Sequence, residues 1–171
     1  AFKLWHIAAS EPHNNIGAIK NLAMCYYQGT GSERSEKAAI RQLERVLEID
    51  PTDPEVCDAL ARFYQEGRGV SQNYQTAVEL YEVAAKQGNA KAIASLGHLY
   101  SSGHGVAVDK FKAVELHREA AKLGNTVAMR NLAGALFCGD GCKRNRREAV
   151  RWYRRARDAG DQEAAKFLRI T

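Results

Sequence analysis

Proline is scarce in this chain, with 3 in 171 residues, and no apolar run approaches the ~18 residues a membrane-crossing helix needs. The first shortage withholds support from strand-rich and disordered readings. The second excludes helical membrane insertion. A balance of 45% hydrophobic and 26% charged residues is that of an ordinary folded chain. A leader-type segment is missing too, but so is an initial methionine. The chain opens at Ala1, and Ala1 to Ala9 already reads as half of a repeating unit, so residues 1–171 are expected to be one domain of a longer protein, with any targeting segment outside it.

Cysteine is sparse and irregular: positions 25, 57, 138 and 142 do not recur once per unit, as a disulfide-stapled repeat would require. Reduced thiols in the cytoplasm or another reducing compartment follow. Cys138 and Cys142 lack a second Cys/His pair nearby, and the five histidines are scattered, so no metal or other cofactor is expected. Nothing resembles a strand-preceded phosphate loop or a nucleophile motif, so no catalytic residue is assigned and an enzyme is not expected.

What the chain does have is a ladder of glycines. Gly29-Thr30-Gly31, Gly67-Arg68-Gly69, Gly103-His104-Gly105 and Gly139-Asp140-Gly141 follow one another at intervals of 38, 36 and 36 residues. Such a period signals stacked supersecondary units. Ahead of each glycine pair stand Leu22, Leu60, Leu96 and Leu132, each followed by a small residue (Ala23, Ala61, Gly97, Ala133). Four residues beyond the leucines come Tyr26, Tyr64, Tyr100 and, as a departure, Leu136. These spacings place the columns on one stripe of a helix A.

After the glycines, Ser35, Asn73, Asp109 and Asn145 fall in register as N-caps of a helix B, with Glu148 three residues beyond Asn145 as a capping-box variant. Apolar stripes such as Ala77-Leu80-Tyr81-Ala84 then run to Gly88, Gly124 and Gly160, suited to left-handed helix ends. Leu4-Trp5 and Ala8-Ala9 match the second half of a unit, and Asp161 to Ile170 reads as a closing helix A. Asp50-Pro51-Thr52-Asp53-Pro54 and Glu11-Pro12-His13-Asn14-Asn15 each exceed the register by two residues, where a local change of superhelical path is expected.

The string Ala92-x3-Leu96-Gly97-x2-Tyr100-x2-Gly103-x-Gly105-Val106-x2-Asp109-x3-Ala113-x2-Leu116-x3-Ala120-Ala121-x2-Gly124 resembles the Sel-one-like repeat, a relative of the tetratricopeptide repeat. Departures are Leu136, Arg157 in the second-alanine column, Cys142 for the usual valine, and the Asp-Pro linker. The resemblance implies an all-α fold: a right-handed α/α superhelix, or solenoid, of about four to four and a half helix-turn-helix repeats, used as a scaffold or adaptor. It also implies that helix A lines the concave side. The exposed positions there would be Lys20, Met24 and Tyr27; Asp58, Arg62 and Gln65; Ala94, His98 and Ser101; and Arg130, Gly134 and Phe137. They vary while the core columns do not, as selective binding of a partner's peptide or helix requires. Tyr27 and Phe137 would be aromatic anchors.

Charge singles out one further region. Lys143 to Arg157 holds eight basic residues against Glu148 alone, in a chain whose total is +5, so the remainder is acidic by about two. Arg144, Arg147, Arg151, Arg154 and Arg155 form a basic surface open to acidic partners. Nucleic acid is disfavoured, because Trp152 and Tyr153 sit in core columns and are not displayed for base stacking. Two other readings stand beside the scaffold: a regulatory or assembly module of a larger enzyme, and a structural subunit with a basic outer surface. Self-association through end repeats is a further option.

Overall fold

The computed structural model describes residues 1–10 and 15–170, with Ile170 by its backbone alone. The expected path change at Glu11 to Asn14 lies outside the described residues. Ten helices and no strand occur among the described residues. They are α1 (Phe2–Ala9), α2 (Ile16–Gln28), α3 (Glu36–Ile49), α4 (Pro54–Glu66), α5 (Tyr74–Lys86), α6 (Ala90–Ser102), α7 (Lys110–Lys122), α8 (Thr126–Cys138), α9 (Arg146–Asp158) and α10 (Gln162–Ile170). No helix among them is long and apolar enough to cross a membrane.

The chain divides into two compact units, 1–87 and 88–171. In the first, α2 pairs with α3 and α4 with α5, with α1 packed on α2. Its core gathers Ile19, Leu22, Ile40, Val46, Val56, Leu60 and Phe63. In the second, α6 pairs with α7 and α8 with α9, and α10 packs on α9. The leucine and alanine columns supply its interior, with Leu96, Leu132 and Ala133 all buried.

Each hairpin is made by the same local chemistry. Helix A ends on the first glycine of its pair, in left-handed backbone, with φ between 67° and 82° at Gly29, Gly67, Gly103 and Gly139. An L side chain resists that conformation, and glycine does not. The N-cap of the following helix B then donates its backbone N–H to a carbonyl of helix A, from Ser35 to Tyr26, Asn73 to Tyr64, Asp109 to Tyr100 and Asn145 to Leu136, at 2.8–2.9 Å. Because this bond uses the main chain, Leu136 replaces tyrosine there at no cost to the turn. The cap side chains accept as expected, from Ala38, Thr76, Lys112 and Glu148. At Asn145 the capping box closes through side chains, with Nδ2 donating to Glu148 Oε2 at 3.2 Å.

Helix B ends differently. Leu123 closes α7, Gly124 turns left-handed (φ 91°), and the Gly124 and Asn125 amides bond back to Ala121 and Ala120. The Asp-Pro linker substitutes another device. Asp50 Oδ1 accepts from both the amide and the hydroxyl of Thr52, and Asp53 caps α4 with Pro54 at its first turn. With no glycine there, α3 meets α4 less extensively than α7 meets α8.

The second glycine serves packing as well as turning at Gly31, Gly69 and Gly141. A Cβ on Gly69 would stand 2.9 Å from Glu36 Cβ, and one on Gly141 would overlap the Lys110 carbonyl. The start of α3 thus rests on the turn after α4, and the start of α7 on the turn after α8. Gly124 shares the left-handed backbone but has nothing within 4 Å of a built Cβ. Gly124→Ala is therefore expected to cost about 1 kcal/mol, the backbone penalty alone, and Gly141→Ala at least ~2 kcal/mol more, as steric overlap adds to strain. Urea unfolding of both variants checks this. Equal losses would mean that close approach does not explain the second glycine.

Candidate functional site

Two clefts open along the helix A faces, one in each unit. In the first unit, α2 and α4 form the walls and α3 the floor. Lys20, Ala23, Met24 and Tyr27 face Ala59, Arg62 and Phe63, with Ala39 and Leu43 beneath and Glu66 and Arg68 at one end. Its volume is about 170 Å³. Four of the expected groove residues, Lys20, Met24, Tyr27 and Arg62, therefore share one site.

The charges around this cleft are not equally available. Lys20 Nζ lies 2.6 Å from Asp53 and 3.0 Å from Glu55. Partial burial opposes its charge, but the hydrogen bonds it donates to these carboxylates, with their charge, outweigh that and raise its pKa. Arg68 is also committed, reaching Glu66 at 3.2 Å and Glu36 through two of its nitrogens. That bonding holds the Glu36 carboxyl below its ordinary range, with Arg34 contributing. Arg62 is exposed, and among the described residues it makes no hydrogen bond or ion pair. It is the uncommitted cation at this rim.

Tyr27 is half-buried. Its ring meets Phe63 edge-on at 5.8 Å, Arg68 lies 5.4 Å from its centroid, and its hydroxyl accepts from Arg68 at 3.3 Å. The ring is thus fixed in the cleft wall and needs no ordering when a partner arrives, while Met24 beside it is 52% exposed.

In the second unit, α6 and α8 are the walls and α7 the floor, with Tyr153, Glu163 and Phe167 closing one side. The cleft is larger, about 550 Å³, and more polar. It brings together the expected residues His98, Ser101 and Arg130, along with Gly134. Lys110 and Asp140 pair across its rim at 2.8 Å.

Four expected residues stand elsewhere. Asp58 is buried, as is its equivalent Ala94, so this column lies inside the core edge in two repeats. Gln65 accepts the Tyr81 hydroxyl at 2.9 Å and so ties α4 to α5. Phe137 meets Phe167 edge-on at 5.2 Å, and Arg146 lies 5.0 Å from its centroid. It packs under α10 instead of lining a cleft.

A repeated device escaped the sequence reading. Asp53 accepts the Glu55 and Val56 amides as the N-cap of α4 while pairing with Lys20. Asp161 accepts the Ala164 amide at the start of α10 while pairing with Arg130 at 3.1 Å. Where Ala94 replaces the cation, the cap is neutral Asn125. The signal was present as an Asp matched to a cation 31 or 33 residues earlier, but only the fold joins them.

His117 is the other such case. It occupies the column of Tyr81 and Tyr153, is 5% exposed, and among the described residues its Nδ1 has no hydrogen-bond partner. Gly97 makes room for it, since a Cβ there would stand 2.7 Å from the ring. Burial, with a smaller effect of nearby His98, pushes its pKa down to about 4.

The helix bounds, caps and glycine turns lead to one family. A Sel1 repeat model matches residues 17–41, 54–89, 90–125 and 126–161. The chain belongs to the Sel1-repeat family. Among solved Sel1-type structures, a protective antigen of uropathogenic Escherichia coli displaying an SLR fold matches with a TM-score of 0.90 and 30% identity, over 98% of this chain and 35% of its own. A Sel1 repeat protein from Oxalobacter formigenes matches with a TM-score of 0.89 and 30% identity, over 98% and 66%. The chain thus spans about a third and just under two thirds of these two proteins. MamA, at 20% identity and a TM-score of 0.62 over 96% of this chain and 89% of its own, shares the fold alone. No curated protein matches the chain. Sel1 repeats commonly serve as protein-interaction scaffolds.

His117 makes a test of the second unit. Its folded pKa near 4 lies below the ordinary 6.5, so the unfolded chain binds the extra proton between those values. Stability is expected to be intact above pH ~6.5 and to fall by on the order of 2–3 kcal/mol as pH drops to ~4. In His117→Asn this part of the slope should vanish in denaturant titrations across that range. An unchanged slope would place the imidazole outside the acid response.

Proposed function

We propose that this Sel1-repeat chain is an adaptor that works by binding and not by catalysis. It holds a segment of a partner protein, extended or helical, against the helix A faces. The observation that carries this reading is the first-unit cleft, an apolar slot walled by Tyr27, Phe63 and Met24 with one uncommitted cation, Arg62, at its rim. An apolar anchor would fill the slot, and a neighbouring carboxylate would meet Arg62, combining burial with a charge-assisted hydrogen bond. The fixed ring of Tyr27 lowers the ordering cost. The second unit's cleft, with His98, Ser101 and Arg130, offers a polar site of its own.

Selectivity then lies in the side chains that differ between repeats, on a frame that does not. A pull-down with the wild-type chain against Arg62→Glu and Tyr27→Ala/Met24→Ala variants, quantified by mass spectrometry, tests it. Specific partners are expected to fall about tenfold or more with either variant, equivalent to losing ~1.4 kcal/mol. Retention of the same proteins at the same levels, by variants with wild-type circular dichroism, would count against the cleft.

A further inference from the structure

Helix α9 carries a second surface that the cleft reading does not use. Its apolar side is spent inward, with Trp152 and Tyr153 8% and 7% exposed. Its outward side is almost wholly arginine. The helices B α3, α5 and α7 mix signs, as in α3, where Glu36, Glu44 and Glu48 alternate with Lys37, Arg41 and Arg45. In α9 both acids are already taken, Glu148 by Arg118 at 2.6 Å and Asp158 by Arg157 at 2.7 Å. Arg147, Arg151 and Arg154 are exposed, and among the described residues they make no ion pair or hydrogen bond.

Their spacing, i, i+4, i+7, puts three like charges on one stripe, where each repels the next. Arg147 also lies in the first turn, where the helix dipole disfavours a cation. An anionic partner would relieve both effects. The stripe spaces three arginines at i, i+4 and i+7 along one helix face, a spacing matched by carboxylates at i, i+4 and i+7 of a second helix, which guanidinium groups can grip two oxygens at a time. No aromatic ring is displayed beside it for base stacking, and no exposed apolar side chain of α9 is available to enter a bilayer.

We infer that the outward face of α9 docks an acidic helical segment of a partner protein through Arg147, Arg151 and Arg154. Contacts of this kind are exposed, so the docking is weak alone and salt-sensitive, and it gains strength when linked to a second contact.

The test is fluorescence anisotropy of a labelled, alanine-based helical peptide with Glu at i, i+4 and i+7, titrated with the whole chain. Saturable binding is expected at low salt, weakening roughly tenfold or more between ~50 and ~300 mM NaCl as screening shortens. Arg147→Glu/Arg151→Glu/Arg154→Glu should abolish it, the milder triple change to Gln should weaken it, and a Lys version of the peptide should bind the Glu variant. Arg62→Glu should leave it unchanged, which separates this surface from the cleft. Absence of binding at ~50 mM NaCl overturns the inference, as does equal binding by the Gln variant. So does displacement of the peptide by a single-stranded RNA 12-mer at equal concentration.

Discussion

A helix that must reverse direction within a few residues has to satisfy its last carbonyls while leaving the helical backbone. In this chain the solution is glycine in the left-handed region, followed by an N-cap whose own amide bonds back across the turn. Everything else depends on that arrangement. It sets the angle at which helix B returns along helix A, and so decides which columns meet in the core. It fixes the register in which Met24 and Arg62, or His98 and Gly134, reach corresponding cleft positions in their units. Within each compact unit, Gly69 and Gly141 carry the arrangement from one repeat to the next by leaving space for the start of the previous helix B.

On this frame the two clefts differ in chemistry while sharing a plan. The first is small and apolar, with its cations mostly neutralised in place. The second is wider and polar, and its floor holds His117 in the column that carries Leu43 under the first cleft and tyrosine at Tyr81 and Tyr153. A Tyr81-type side chain reaches back to helix A with its hydroxyl, whereas the imidazole of His117 stops short beneath Gly97. The unit gains a polar floor at the expense of one internal hydrogen bond.

The turns and caps were legible in the sequence because they are local demands. Left-handed backbone calls for glycine, and free amides call for Ser, Asn or Asp, whatever the rest of the chain does. The exposed columns were less legible. Helical phase placed Asp58 outside the core, yet α4 buries a broad face that includes Val56, Cys57 and Asp58 together. Phe137 looked free because the ring that covers it, Phe167, lies 30 residues on in the closing helix. Pairings such as Lys20 with Asp53, or His117 with Gly97, join residues whose meeting depends on the fold, so no local pattern announces them.

Asp53 is where these levels converge. One carboxylate both starts α4 and holds the ammonium of Lys20, so the charge beside the first cleft is bound into the secondary structure that forms its wall. A guest carboxylate cannot claim Lys20 without competing with a group that the helix itself requires. Three cations border the cleft, but the valences of two are filled from within. The surface therefore discriminates by vacancy more than by sign: a guest bearing a single acid beside an apolar side chain finds a place, and a densely acidic one finds most places occupied.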